Sequence, residues 1–257
     1  MSFFTALKFL TAIPLPFGHA DRPEDMGHSV AYFPLVGLLI GLVLAGLNFL
    51  LRLLLPPAPV NGLLVVALVV ITGALHLDGL VDTCDGMAGH KSIEERWRVM
   101  HDSRAGAFGI IGVALLLLMK YISLNSVPEN LLFAALLIAP VVSRWAMSWA
   151  ICIYPYARPE GLGKPFKHGA GWRQLTIATV TAAVVTIFSA WLAGFSYFYL
   201  AGPVIMLGIW VIIVLMAAYF KQKFSGLTGD TYGAINEVTE VVALLLVILL
   251  ASNNWLI

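Results

Sequence analysis

The chain has 257 residues, of which 60% are hydrophobic and only 11% charged, with a mean hydropathy of +0.90. Soluble domains carry about 25% charged residues, so the composition points to lipid as the surrounding solvent and away from a water-soluble globule. A formal net charge of +1 excludes a basic surface for nucleic acid, and two isolated cysteines, Cys84 and Cys152, exclude a disulfide framework or a zinc cluster.

Taken in chain order, Phe3–Phe17 is apolar apart from Lys8 and ends at Pro14 and Pro16. It has no small-residue cleavage site, so it reads as an interfacial helix and not as a signal peptide or a span. A crossing needs about 20 mainly apolar residues. Spans are predicted at Val30–Leu55, Val60–Leu77, Gly106–Leu124, Leu131–Ile153, Leu175–Phe195, Phe198–Phe220 and Asn236–Ile257. The second is the shortest and runs straight into His76. The predicted fold class is all-α: a polytopic membrane helical bundle of about seven transmembrane helices plus the interfacial helix, in one integral membrane domain covering 1–257. Gly37-x-x-x-Gly41 permits close helix approach within the bundle, and Pro140 and Pro203 should kink their spans or free a carbonyl.

Orientation follows from Lys and Arg in alternating loops. Lys8, Arg22, Lys91, Arg96, Arg98, Arg104, Arg158, Lys164, Lys167, Arg173, Lys221 and Lys223 fall on one side, twelve in all, against Arg52 and Lys120 on the other, with Arg144 inside the fourth span. This asymmetry predicts a cytoplasmic N-terminus. All acids but Glu129, and all six histidines, fall on or near the same cytoplasmic side.

Three clusters there carry the chemistry. His76-Leu-Asp78-Gly-Leu-Val-Asp82-Thr-Cys84-Asp85 puts three carboxylates at i, i+4 and i+7, on one face of a continuing helix. Their mutual repulsion near a low-dielectric boundary calls for a cation, and oxygen-only ligands suit Mg²⁺ or Mn²⁺. His101-Asp102-Ser-Arg104-Ala-Gly106 offers an arginine for bidentate phosphate binding and a glycine-rich helix start for an anion; Asp102 either extends the metal site or orients Arg104, and Arg104 can also be a plain interfacial anchor. Gly229-Asp230-Thr-Tyr232-Gly233-Ala-Ile-Asn236-Glu237-Val-Thr-Glu240 carries further acids into the last span. Two acid-rich helix ends meeting across a bundle can hold metal ions around a diphosphate. Arg144, inside its span, needs a carboxylate or a phosphate as partner. The loop from Tyr154 to His168, with Arg158 and Lys164, either covers an anionic substrate or is an ordinary positively charged loop.

His-Leu-Asp78-Gly-Leu-x-Asp82-x-x-Asp85-Gly, Asp102-Ser-Arg104-x-Gly-x-Phe-Gly and Gly229-Asp-x-x-Gly-Ala-x-Asn236-Glu237 resemble the motif set of the cobalamin synthase family, the adenosylcobinamide-GDP ribazoletransferases of bacterial vitamin B12 assembly. Phe33-Pro-Leu-Val-Gly-x-x-x-Gly41 and Arg158-x-x-Gly-Leu-Gly163 are similar as well, so the resemblance runs almost end to end. It implies a Mg²⁺-dependent transfer, in the bacterial inner membrane, that joins adenosylcobinamide-GDP to α-ribazole or its 5′-phosphate and releases GMP. Under that resemblance Asp78, Asp82 and Glu237 hold Mg²⁺, with Asp85, Asp230 or Asn236 completing the shell. Arg104 and Arg144 stabilise the departing phosphate, while Asp102, Arg158 and Lys164 bind substrate. A carboxylate of the first cluster, or His76, takes the proton of the attacking hydroxyl. The implied partners are these small molecules and the lipid bilayer, without nucleic acid; self-association is left open. A CDP-alcohol phosphotransferase is the competing enzyme class, disfavoured because Asp82-Thr stands where that pattern has Ala-Arg. Transport is disfavoured because almost nothing ionisable faces the outer side.

Overall fold

The structure is a computed structural model that describes residues 2–14, 23–161, 163–194 and 197–252. Among these residues there are twelve α-helices and no strand. They are α1 (Ser2–Leu10), α2 (Pro23–Ser29), which passes through a 3-10 turn at Val30–Tyr32 into α3 (Phe33–Leu51), α4 (Pro57–Thr72), α5 (Leu75–Met87), α6 (Ile93–Met100), α7 (Ala107–Ser126), α8 (Glu129–Ile153), α9 (Lys164–Lys167), α10 (Trp172–Leu192), α11 (Phe198–Phe224) and α12 (Gly229–Ser252). The expected interfacial helix stops at Leu10. Residues 15–22, Phe195 and 253–257, into which parts of the expectations extend, lie outside the described residues.

Six helical stretches are long and apolar enough to cross a bilayer, and α4 with α5 makes a seventh only as a pair bent by 90°. The protein is therefore a multi-pass membrane protein, but its second crossing differs from the straight helix expected through Leu77. Gly73 and Ala74 both take left-handed backbone, at φ 60 and 57. Their N–H groups bond back to the Val70 and Val69 carbonyls, the way a glycine ends a helix. At 16 residues, α4 is about 24 Å long, short of a hydrocarbon core of about 30 Å. The bend is thus set within the edge of the apolar layer, and α5 leaves it sideways.

The centre of the bundle is α8. From Leu131 to Ile151 every residue but Phe133 and Trp149 is buried, as expected of a helix that is apolar all round and enclosed by others. Gly37 and Gly41 let α3 lie directly on it: a Cβ at these positions would sit 2.3 Å from the Pro140 carbonyl oxygen and 2.6 Å from that of Leu136. Both expected proline sites, Pro140 and Pro203, lie inside continuous helices. The outer faces of α7, α10 and α11 expose Leu115, Leu118, Val180, Val184, Leu207 and Leu215, an apolar surface too extensive for water and suited to lipid.

The two ends of the bundle differ. At one, Arg52 pairs with Glu129 at 2.9 Å, tying the α3–α4 connection to the start of α8. Asn61 of α4 donates to Asn125 of α7 nearby. Lys120, counted from the sequence on that same outer side, is instead buried on the inner face of α7. Hydropathy placed it near the end of a span but carried no information on which way its side chain points. At the other end the segments 88–106, 154–161, 163–171 and 225–229 gather. Ala157 and Leu227 exchange backbone bonds there, with Ala157 N–H donating to Leu227 O and Leu227 N–H to Pro155 O.

Candidate active site

The site forms where α5 crosses α12. A Cβ at Gly79 would meet the Asp230 carbonyl oxygen at 2.8 Å, and one at Gly233 would meet the His76 carbonyl oxygen at 3.0 Å. The two backbones nearly touch, so only glycine fits at either position. The start of α12 is fixed by a reciprocal cap: Thr231 N–H donates to the Thr228 hydroxyl, and Thr228 N–H to that of Thr231. The far end of α5 is held by Arg96, whose guanidinium donates to the carbonyls of Gly86, Met87, Gly89 and Lys91. These restraints aim Asp78 and Asp82 from α5 and Asp230 from α12 into one cavity.

That cavity offers about 510 Å³ to the centres of water molecules and is closed by His101, Tyr156 and Arg158 among others. Arg158 Nη1 lies 3.1 Å from Asp230 Oδ2. Its Nε and Nη2 are buried without a hydrogen-bond partner, which is costly for a charged group and leaves Arg158 short of anionic partners. Asp78, Asp82 and Asp230, with Asp102 at the edge, thus share with one arginine a cavity of the size usual for small-molecule sites, about 300–1,000 Å³.

Other expected site residues are placed elsewhere. Asp85 shares the helix but not the cavity: its two oxygens accept the N–H groups of Gly106 at 2.7 Å and Gly109 at 2.9 Å. The glycine-rich start of α7 therefore does bind an anion, and the anion is the chain's own Asp85. A Cβ at either glycine would fall 2.5 Å from that carboxylate. Arg104 is exposed at the rim and makes a bidentate pair with Asp102, at 3.0 and 2.8 Å. The Arg104 hydrogen bonds hold the Asp102 carboxyl down to about 2. Asp102 thus orients Arg104 and at the same time lines the acid cavity, so the geometry accommodates both roles read for it. Lys164 is exposed and donates to the Pro159 carbonyl of its own loop.

Asn236, Glu237 and Arg144 belong to a second, enclosed polar group. Lys120 Nζ donates to Glu237 at 2.6 Å and also to Glu240. Arg144 donates to Glu240 and, at 3.0 Å, to the Ser143 hydroxyl. Asn236 donates to Glu237 at 3.3 Å. Two cations face two carboxylates, so the group is balanced in charge, as a buried set must be. Glu237 stands seven residues beyond Asp230 on α12, about 10 Å along the axis, and does not line the acid cavity. Of the two partners read for Arg144, the structure supplies the carboxylate, from Glu240; Lys120 as the partner of Glu237 and Glu240 was missed, and one lysine within an apolar segment was the available signal.

Comparison with known proteins bears on this arrangement. Residues 2–248 match the family described as cobalamin-5-phosphate synthase. The chain belongs to that family. Relatives named adenosylcobinamide-GDP ribazoletransferase include one from Geotalea daltonii, 40% identical over 98% of both chains. Another, from Syntrophobacter fumaroxidans, is 39% identical over 94% of this chain and 96% of its own. A third, from Desulforamulus reducens, is 36% identical over 95% and 94%. No solved structure matches the chain.

Membership in the cobalamin-5-phosphate synthase family raises the question of a divalent cation. Among the described residues no three histidine, cysteine or acidic side chains converge closely enough to hold an ion by themselves. Asp78, Asp82 and Asp230 nevertheless line one cavity with a single arginine against them. This fits the habit of Mg²⁺, which takes one or two carboxylates and completes its shell with water and substrate phosphate.

Proposed function

We propose that this chain transfers the cobinamide-bearing phosphate of adenosylcobinamide-GDP to a hydroxyl of α-ribazole or its 5′-phosphate, releasing GMP, at the cavity between α5 and α12. The observation that carries this reading is the meeting of Asp78, Asp82 and Asp230 with the two unpartnered donors of Arg158. Family membership supplies the reaction, and the cavity supplies groups suited to a diphosphate.

Arg158, fixed by Asp230, supplies positive charge to the diphosphate. Asp78, Asp82 and Asp230 are suited to hold Mg²⁺, which would neutralise charge on the diphosphate oxygens. The ribose hydroxyl forms a new O–P bond at the phosphate carried by cobinamide. The bond to the bridging oxygen breaks, and that oxygen leaves with GMP. The hydroxyl proton passes to a carboxylate of the trio. Little covalent help is needed; positioning and charge compensation account for the rate. Arg104, held by Asp102 at the rim, meets the guanosine phosphate as it departs. We place the cavity on the cytoplasmic face of the bacterial inner membrane, with the N-terminus on the same side. The excess of Lys and Arg at this end of the bundle supports that orientation.

The test is GMP release by the purified protein given both substrates, with Mg²⁺ or with chelator. Asp82→Asn should reduce turnover by at least about 100-fold while the protein still accumulates in membranes. Full turnover by that variant, or in chelator, defeats the cation site. No GMP release from the wild type defeats the reaction.

A further inference from the structure

Among the described residues two hollows adjoin the acid cavity, each sharing part of its lining. The inner one, behind Asp78 and Asp230, offers about 80 Å³ to the centres of water molecules, less than the roughly 150 Å³ of a cavity that takes one benzene. His76, read from the sequence as a proton acceptor, is 2% exposed there and does not line the acid cavity. The outer hollow offers about 410 Å³, within the range usual for small-molecule sites, about 300–1,000 Å³. The stretch from Asp102 to Gly106, between α6 and α7, is the wall between this hollow and the acid cavity. Asp102 lines both, Ser103 and Ala105 line the acid cavity, and Arg104 and Gly106 line the outer hollow. Arg104 commits Nε and Nη2 to Asp102, but its side chain is 87% exposed, which leaves Nη1 open to a ligand. Lys91 and the ring of Phe108 stand in the same hollow, and Phe108 is 63% exposed.

We infer that the outer hollow binds the nucleoside of the leaving nucleotide, its base stacked on Phe108 and its phosphate at Arg104. The inference rests on the proposed transfer and goes beyond it by assigning a subsite. A diphosphate in the acid cavity carries an ester at each end, and Arg104 meets it from the outer hollow, not from within the cavity. The sugar and base attached to the phosphate at Arg104 therefore extend past Asp102 into that hollow. Its lining suits them. Asp85 and Asp102 stand against Lys91 and Arg104, so the charges balance and exert no net pull on an anionic lipid head. A neutral nucleoside with donors and acceptors along the edge of its base, as in guanine, matches such a mixed set. The flat face of the base calls for an aromatic partner. Phe108 tops the exposed stripe of α7 that Ile111 and Leu115 continue into the apolar layer. Lipid alone accepts any apolar side chain at that place; a base requires the ring.

The experiment titrates GMP and inorganic pyrophosphate, each with Mg²⁺, onto purified full-length protein, wild type or carrying Phe108→Leu or Phe108→Trp. Both variants keep an apolar side chain at an exposed position, so the unfolding midpoint stays at the wild-type value. Phe108→Leu should weaken GMP binding about 5–150-fold, the range for one base stacked on an aromatic ring, and Phe108→Trp should keep it within about threefold of wild type. Pyrophosphate, which occupies the acid cavity only, should bind all three proteins alike. In turnover, Phe108→Leu should raise KM for adenosylcobinamide-GDP and leave KM for α-ribazole unchanged. Wild-type GMP affinity in Phe108→Leu assigns the ring to lipid and overturns the inference. So does a Phe108→Trp protein as weak as Phe108→Leu, or an equal loss for pyrophosphate, which would trace the effect to the acid cavity. Failure of the wild type to release GMP from the two substrates counts against the transfer reaction, whereas unaltered GMP binding in Phe108→Leu, with turnover intact, counts against the subsite alone.

Discussion

Removing Lys120 tests whether the buried ion group is a structural device or part of the chemistry. Lys120 is 4% exposed and bonds Glu237 and Glu240, while Arg144 holds Glu240 from α8. In Lys120→Met, Glu240 keeps Arg144, but Glu237 loses the ammonium group it is bonded to. Breaking one side of a buried pair typically costs about 3–5 kcal/mol, because the remaining charge is left uncompensated. For a protein of this size that corresponds to a fall of roughly 6–20 °C in the unfolding midpoint. Adding Glu237→Gln removes the stranded charge, and the double variant should recover to within about 1–2 kcal/mol of wild type. Cys84 and Cys152 are free and half-buried, so a thiol-reactive dye can follow unfolding of each variant in detergent. Activity separates the two roles: if Glu237 serves the bundle, the double variant regains turnover along with stability. If Glu237 binds a catalytic cation, the double variant is stable and inactive. A Lys120→Met protein as stable as wild type, or a double variant no better than the single one, refutes the electrostatic argument.

Three other outcomes follow from the geometry. Gly79→Ala places a methyl 2.8 Å from the Asp230 carbonyl; it should cost about 1–3 kcal/mol by overpacking and reduce turnover more than any variant of equal stability away from the site, read by paired thermal and GMP-release assays. Asp85→Asn keeps its shape but loses the charge that faces the α7 N-terminus, and should lower stability by about 0.5–2 kcal/mol with turnover within tenfold of wild type. For orientation, single cysteines replacing Ser92 and Glu129, in a background lacking Cys84 and Cys152, should react with an impermeant thiol reagent from opposite sides of sealed inverted vesicles; reaction from the same side would reverse the topology argument.

Hydropathy made the spans legible because lipid imposes one constraint on every segment, and a run such as Leu131–Ile153 meets it residue by residue. α8 is found at Glu129–Ile153, within two residues of its expected start. The break after Thr72 was not legible in the same way. Val60–Leu77 is apolar but for Asn61, Thr72 and His76, and Gly73 alone does not distinguish a bend from a packing glycine; the left-handed Ala74 that completes the turn carries no sequence mark at all. That bend decides the site, since it turns α5 across α12 and brings Asp78 and Asp82 to Asp230.

Within the motifs the same limit recurs at the level of single side chains. Spacing put Asp78, Asp82 and Asp85 on one helix, and α5 contains all three. Which neighbour each one meets depends on elements distant in sequence: Asp82 faces the cavity closed by Arg158, while Asp85 meets the amides of Gly106 and Gly109. Glu237 shows the point most sharply. Its position three residues from Glu240 suggested a ligand pair, and the two do converge, but on Lys120 from a helix 117 residues away in sequence. A carboxylate pattern on one helix therefore establishes that compensating donors or charge lie nearby, not which kind. The opposing elements decide what answers each carboxylate: an ammonium group of the protein at Glu237, backbone amides at Asp85, and the single guanidinium of Arg158 at Asp230.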